Sequence, residues 1–315
     1  MPGFFCSLRP VTDTAAPTDA ATAGDPGTIG LIGLGIIGSK IAEHIAGVGY
    51  RIAVFDVRPE AVQEAAAAGA RPATSAAEGA TITDTVLVCV QNDQQCEEVL
   101  TGPEGILRSA RPGLAVAVLS TVHPHTITRL AAAAAEYGVV LVDAPMVGQG
   151  REHIPQGLLW VVVGGSDTEF ERVAPGLRTF AGRALHTGPL GSGAVLKLAH
   201  NVMVYGGYLA TIEALELARV AGVADGLVQE VTEHTGTLSP QSAILAEIYE
   251  RRRYTPGDAF EEHHMRIAAE VLEKDLRIAN EVAADYGLHL PGAAVLDGRG
   301  HEVYRARPKD PEEGS

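Results

Sequence analysis

Thr28-Ile29-Gly30-Leu31-Ile32-Gly33-Leu34-Gly35-Ile36-Ile37-Gly38 decides the architecture of this chain. Ile29 to Ile32 is a short apolar run that reads as a buried strand, and the glycines follow it directly. Ile37, Ile41, Ile45 and Val48 then recur at helical spacing until Gly49 ends the helix. Residues 51–55 form the next strand, closed by Asp56. A Gly-x-Gly-x-x-Gly string alone is weak in a chain with 36 glycines. Here it follows a strand, opens an amphipathic helix and precedes a strand ending in an acid, which together describe a dinucleotide-binding turn. Gly33 permits the tight turn, Gly35 lets backbone approach a pyrophosphate, and Gly38 lets the helix pack close to the sheet. With Leu34, Ile36 and Ile37 they present N–H groups at a helix N-terminus, where a partial positive charge favours phosphate. Asp56 is placed to accept hydrogen bonds from the adenosine ribose, and its charge opposes a 2′-phosphate, so NAD is favoured. Arg58, two residues on, could pair with that phosphate and keeps NADP open.

The alternation continues outward. Residues 59–68, 93–100 and 124–137 read as helices, and 85–90, 114–119 and 139–142 as strands. Residues 158–163, 169–180 and 183–186 add roughly one more strand–helix–strand unit. Short apolar strands between longer helices indicate a parallel sheet covered on both faces, a Rossmann-type α/β domain. After Gly191 no strand pattern appears, and helical periods dominate over 194–221, 226–235, 240–251 and 260–286. Val195, Leu198, Val202, Leu209, Ile212 and Leu215 trace an apolar stripe on the first of these. The expected organisation is a flexible extension over 1–27, a Rossmann-type domain with a parallel sheet over 28–190, an all-α domain over 191–296 and a polar tail over 297–315.

Bulk properties narrow the function. The chain has 315 residues, 46% of them hydrophobic, and a formal charge of −15. That charge argues against nucleic acid or an anionic membrane surface as partner. No window approaches the roughly 18 apolar residues of a membrane span. Cys6, Cys89 and Cys96 have no metal-ligand spacing and leave an odd thiol, which suits a reducing compartment. The expected location is the cytoplasm.

A second constellation follows the dinucleotide turn. Ser120-Thr121-Val122 ends a strand and leads into Pro124, and Asp143-Ala144-Pro145 ends the next and runs into Met146-Val147-Gly148-Gln149-Gly150. Both lie at carboxyl ends of strands, where open α/β sheets bind ligands. Gly193-Ala194-Val195-Leu196-Lys197-Leu198-Ala199-His200-Asn201 sets Lys197 and Asn201 four apart on one helical face, and Lys274-Asp275-Leu276 sits on the last long helix.

Taken in order, these motifs resemble the β-hydroxyacid dehydrogenase family, which includes 3-hydroxyisobutyrate dehydrogenase and tartronate semialdehyde reductase. The resemblance spans about residues 28–292 and rests on Gly-Leu-Gly-Ile-Ile-Gly, Ser-Thr-Val-x-Pro, Asp-Ala-Pro, Gly-x-x-x-Lys-x-x-x-Asn and Lys-Asp-Leu together. It implies a Rossmann-type domain joined to a helical domain through which members form homodimers or homotetramers. It implies that Lys197 is the catalytic lysine, moving the hydroxyl proton of a small 3-hydroxy acid or its semialdehyde. Asn201 matches the residue that binds substrate and lysine. Ser120 and Thr121 are expected to contact the substrate, Thr121 also matches a position at the nicotinamide end, and Lys274 matches a second lysine near the cofactor. The loop that holds the substrate carboxylate departs from the family's Val-Ser-Gly-Gly: Gly148 stands opposite the serine and Gln149 opposite a glycine, with Gly150 following.

Other features receive structural readings. Asp143 is expected to cap a loop. His123 and His125 flank a proline with no third ligand nearby in sequence, so no metal is expected. His200 should point away from the catalytic face. The alternatives to a dehydrogenase are an imine reductase-like enzyme, against which the retained Lys197 speaks, and a dinucleotide-binding scaffold without turnover.

Overall fold

A computed structural model of the chain describes residues 27–148, 153–254 and 257–304. Strands β1 (Ile29–Ile32), β2 (Ile52–Phe55), β3 (Arg71–Pro72), β4 (Thr85–Val88), β5 (Ala115–Val118) and β6 (Val140–Asp143) alternate with helices. Those helices are α1 (Ile36–Gly47), α2 (Pro59–Ala67), α3 (Ala76–Thr81), α4 (Asp93–Thr101) and α5 (Pro124–Ala135). The six strands are parallel in the order β3-β2-β1-β4-β5-β6. Successive residues of β5 belong to different cores. Ala115 and Ala117 pack with Ile41, Ile45 and Leu177, whereas Val116 and Val118 pack with Leu100, Ile127 and Leu130. Burial on both faces is why these strands read as unbroken apolar runs rather than alternating ones.

One departure from the sequence reading lies at the far edge. β8 (Trp160–Gly164) is antiparallel to β6 and to β7 (Met146–Val147), with Asp143 opposite Gly164 and Met146 opposite Val161. β7 therefore continues β6 past Ala144-Pro145 in one register. No helix among the described residues intervenes between β7 and β8, and parallel pairing needs a crossover, so the chain returns as a hairpin instead. β9 (Arg183–Gly188) is parallel to β8 through α6 (Asp167–Leu177), restoring a strand–helix–strand unit.

From Ser192 onward the described elements are helices: α7 (Ser192–Val220), α8 (Leu227–Thr235), α9 (Pro240–Tyr254), α10 (Ala259–Asp285), α11 (Pro291–Leu296) and α12 (Gly300–Tyr304). Tyr205, Ile212, Leu215, Leu245, Tyr249, Leu272, Leu276 and Leu296 form their common core. The start of α7 packs on β8 and β9 while its length packs on α9 and α10, so this one helix belongs to both layers. The polar tail expected from Asp297 instead carries α12, which packs on α10. Val303, an apolar residue in a polar run, is buried in the helical core. Gly300 allows that approach, since a Cβ there would stand 2.3 Å from the Ala269 carbonyl oxygen. Of the expected extension over 1–27, residues 1–26 lie outside the described residues, as do the last residues, 305–315. No described helix is long and apolar enough to cross a membrane.

Candidate active site

The glycine turn has the shape its residues require. Gly33 has φ +98°, and a Cβ there would stand 2.2 Å from the Cys89 carbonyl oxygen at the end of β4. A Cβ on Gly38 would stand 2.1 Å from the Gly33 carbonyl oxygen, so α1 reaches the turn only because that position lacks a side chain. Gly35 caps α1 with no side-chain hydrogen bond, and a Cβ there would meet nothing within 4 Å. The first turn of α1 holds no acidic residue. Open space, unclaimed N–H groups and a positive helix end fit the pyrophosphate of a dinucleotide.

Asp56 is tied to this turn. Its carboxylate accepts from Leu34 N at 2.6 Å, Arg58 N at 2.9 Å and Arg58 Nε at 3.0 Å. Arg58 Nη2 also donates to the Leu34 carbonyl at 2.8 Å. Burial pushes the Asp56 carboxyl up, but the Arg58 side-chain bond and the two backbone bonds outweigh it and hold the group below its usual value. Arg58 thus bridges the acid and the glycine turn. Its guanidinium already compensates the charge that would repel a 2′-phosphate. Arg58→Ala is expected to raise the ratio of NADP to NAD dissociation constants about tenfold, the loss of roughly one charge-assisted hydrogen bond to that phosphate. Titration of both dinucleotides by intrinsic fluorescence checks it, and an unchanged ratio removes Arg58 from cofactor selection.

Ser120 does different work from that read in the sequence. Its hydroxyl accepts from Val90 N at 2.9 Å and donates to Val90 O at 2.7 Å, bracing the tips of β4 and β5. A hydroxyl has one proton to give, and here the backbone holds it, so no donor remains for a substrate carboxylate. Ser120→Ala is expected to lower stability by about 1–2 kcal/mol and leave substrate KM unchanged. Denaturant unfolding with steady-state kinetics checks both. A raised KM at unchanged stability would restore the substrate-binding role.

Beyond this brace the fold gathers the other expected residues. Lys274, on α10, donates from Nζ to the Thr121 carbonyl. The same Nζ lies 3.0 Å from Asp275 Oδ1. Asp275 Oδ2 accepts from Asn201 Nδ2 at 2.6 Å and from the Tyr205 hydroxyl at 3.2 Å. Asp275 is 1% exposed and Asn201 4%, so this is a buried carboxylate with three partners. His200, expected to face away, lies with Nδ1 3.1 Å from Asn201 Oδ1 and fixes the other end of that amide. Lys197, partly buried on α7, has its pKa lowered by burial. Asp275 opposes that shift, and the Lys274 charge adds to it. Asp275 and Tyr205 are the residues the sequence reading passed over. The available signal was a carboxylate flanked at helical spacing by Leu272, Leu276 and Ala279, on a face that packs inward.

Asp143 holds α7 to the sheet rather than capping its own loop. Its two oxygens accept from Gly191 N and Ala194 N, each at 2.7 Å, and the residue is 1% exposed. Burial raises its pKa, and the backbone bonds offset part of that rise. The approach needs two glycines: a Cβ on Gly164 would meet Asp143 Oδ1 at 2.4 Å, and one on Gly193 would meet the Val162 carbonyl at 2.4 Å. Gly148 sits exposed beyond β7, where a Cβ would meet Leu159 at 2.9 Å. No hydrogen bond among the described residues joins it to Lys197. Gln149 and Gly150 lie outside the described residues.

Comparisons with known proteins match both halves of the chain. Residues 28–188 match the NAD-binding domain of 6-phosphogluconate dehydrogenase, and residues 191–310 match the NAD-binding region of NADP-dependent 3-hydroxyisobutyrate dehydrogenase. The chain is similar to the NAD-dependent L-serine dehydrogenase of Pseudomonas aeruginosa, 31% identical over 81% of this chain and 85% of that protein. Its structure is similar to the crystal structure of 3-hydroxyisobutyrate dehydrogenase from Salmonella typhimurium, with TM-score 0.76 and 27% identity over 89% of this chain and 94% of that one. An imine reductase of Myxococcus stipitatus shares the fold, with TM-score 0.62 and 20% identity over 89% of this chain and 94% of that one. With both halves matched in order, the chain belongs to the 3-hydroxyisobutyrate dehydrogenase family of NAD(P)-dependent oxidoreductases.

Proposed function

We propose that the chain interconverts a small 3-hydroxy acid and its semialdehyde, with Lys197 moving the hydroxyl proton and NAD as the preferred dinucleotide. When bound, the dinucleotide supplies a nicotinamide carbon that takes or gives hydride. In the turn Gly33 to Gly38, the N–H groups of Gly35, Ile36 and Ile37 would hold its pyrophosphate, while Gly33, Leu34 and Gly38 shape the turn, Leu34 through its bond to Asp56. Asp56 and Arg58 would hold its ribose, and Thr121 and Lys274 its nicotinamide end. Neutral Lys197 takes the proton from the substrate hydroxyl during oxidation, and its ammonium returns that proton to the forming alkoxide during reduction. A lysine at its ordinary pKa of about 10.4 is a poor base near neutrality. The placement of Lys197 carries the reading: it stands one helical turn from Asn201, where burial and the Lys274 charge lower its pKa against the pull of Asp275. Asn201, gripped by His200 and Asp275, keeps α7 and α10 in one register and would donate an amide N–H to the oxygen of the substrate hydroxyl, leaving its proton to Lys197. Backbone N–H groups of Gly148, Gln149 and Gly150 would take the carboxylate, with the Gln149 amide in place of a hydroxyl.

The test is a screen of purified protein with NAD and NADP against 3-hydroxyisobutyrate, serine, glycerate and cyclic imines. Dinucleotide reduction with at least one hydroxy acid is expected. Turnover of imines alone would move the chain to the imine reductases. Dinucleotide binding with no turnover of any substrate would make it a scaffold. The proposed assembly is a homodimer or homotetramer through the helical region, where Met203, Leu217, Val220 and Val231 are exposed apolar residues on α7 and α8.

A further inference from the structure

His123 and His125 stand apart from the dehydrogenase machinery, and tertiary structure brings them the third ligand that their sequence surroundings lack. His123 caps α5, His125 lies in its first turn, and Asp285 is the last residue of α10. One nitrogen of each ring and one Asp285 oxygen all lie within 4.8 Å of one another. His125 Nε2 is 3.6 Å from Asp285 Oδ2, and the two imidazole centroids are 4.7 Å apart. A separation of 3.6 Å is too long for a hydrogen bond. It matches two ligands on one ion, since atoms about 2.1 Å from a tetrahedral zinc stand about 3.4 Å from each other.

The C-terminus of α10, at Asp285, favours positive charge. His123 Nδ1 accepts from His125 N at 3.1 Å, so ligation by His123 exchanges that cap for the metal bond. His125 and Asp285 have side chains 75% and 48% exposed, so water can complete the shell. The trio also edges a cleft of about 750 Å³ whose walls include Leu190, Val195, Val282 and Tyr286.

We propose that His123, His125 and Asp285 bind one divalent transition-metal ion of the zinc or nickel class. Two imidazoles and a carboxylate are the ligand set such ions prefer, in contrast to the all-oxygen shells of magnesium and calcium. Bound there, the ion ties the entrance of α5, in the sheet layer, to the end of α10, in the helical layer.

The probe is Zn2+ alone, titrated by calorimetry into the full-length, chelator-treated, untagged protein. His125→Ala and Asp285→Ala run beside wild type, with Co2+ absorption as a second readout. One ion per chain is expected, with affinity about tenfold or more weaker in each variant. Zn2+ should raise the wild-type Tm and leave that of the variants unmoved. Co2+ should show d–d bands without thiolate charge transfer, which separates this site from cysteine binding. No zinc binding, equal affinity in wild type and either variant, or a thiolate band would each overturn the proposal. Both altered side chains are largely solvated, and the metal-free Tm of each variant shows directly that it is folded.

Discussion

Lys197→Ala is expected to lower kcat in both directions by about 10²–10⁴-fold, the range a positioned proton-transfer group contributes. Dinucleotide affinity should change little, because the glycine turn and Asp56 lie on other elements. The pH dependence carries the stronger test. Burial and the Lys274 charge lower the Lys197 pKa, so the neutral base accumulates at lower pH than for a free lysine. Oxidative kcat/KM should therefore rise with pH along a limb whose midpoint lies below about 10.4. Reduction needs the ammonium, so its rate should fall along the same limb. Lys274→Met removes a cation that lowers this pKa and should move the midpoint up. Asp275→Asn removes an anion that raises it and should move the midpoint down. A Lys197→Ala enzyme with wild-type turnover, or a limb that ignores both neighbours, would defeat the assignment.

The second large effect is expected at Asp143. Asp143→Ala strands the N–H groups of Gly191 and Ala194 in a buried site, where each had a carboxylate oxygen at 2.7 Å. Bonds to charged acceptors contribute about 1.5–3 kcal/mol each, and a stranded buried donor costs a comparable amount. A loss of about 3 kcal/mol or more is expected, read as a Tm lower by roughly 5–10 °C. Activity should fall as well, because Ala194 lies one turn before Lys197 and the carboxylate anchors that turn to the sheet. The sign of the pH dependence follows from burial. The Asp143 pKa is raised in the folded protein, so the stability linked to its protonation is fully present below the unfolded value near 3.9. It is lost as pH rises through the folded value. The stability gap between wild type and Asp143→Ala should therefore narrow across that window. Denaturant unfolding at several pH values measures it. A gap that widens with pH, or a variant with the wild-type midpoint, counts against this account.

The glycine turn, the strand–helix–strand succession of its first unit and the helical character after Gly191 were legible because each rests on neighbours in the chain. Turn chemistry at Gly33 and Gly38, the apolar runs of β1, β4 and β5 and the period along α7 all act over a few residues. Short elements escaped that reading. β3 is two exposed residues, α3 has no apolar period beyond alanines and glycine, and α12 reveals itself only when Val303 finds the helical core. The antiparallel return at β8 was equally hidden. A buried strand has the same composition whichever way its neighbour runs.

The site residues divide in the same way. From sequence alone follow a dinucleotide turn, an acid at the end of β2, and Lys197 with Asn201 on one helical face. Tertiary structure decided what each side chain touches. Ser120 stands next to Thr121 in the chain, yet its hydroxyl is held by Val90 of another strand. Asn201 is bound to Asp275, and Lys274 to Thr121, across separations that no local pattern encodes. Asp143 grips the start of α7, and Asp285 arrives beside two histidines from the far end of another helix. The reason is one of range. Backbone preference and periodicity are set within a few residues, whereas proton affinity and hydrogen-bond partnership depend on the burial and charge that packing brings together.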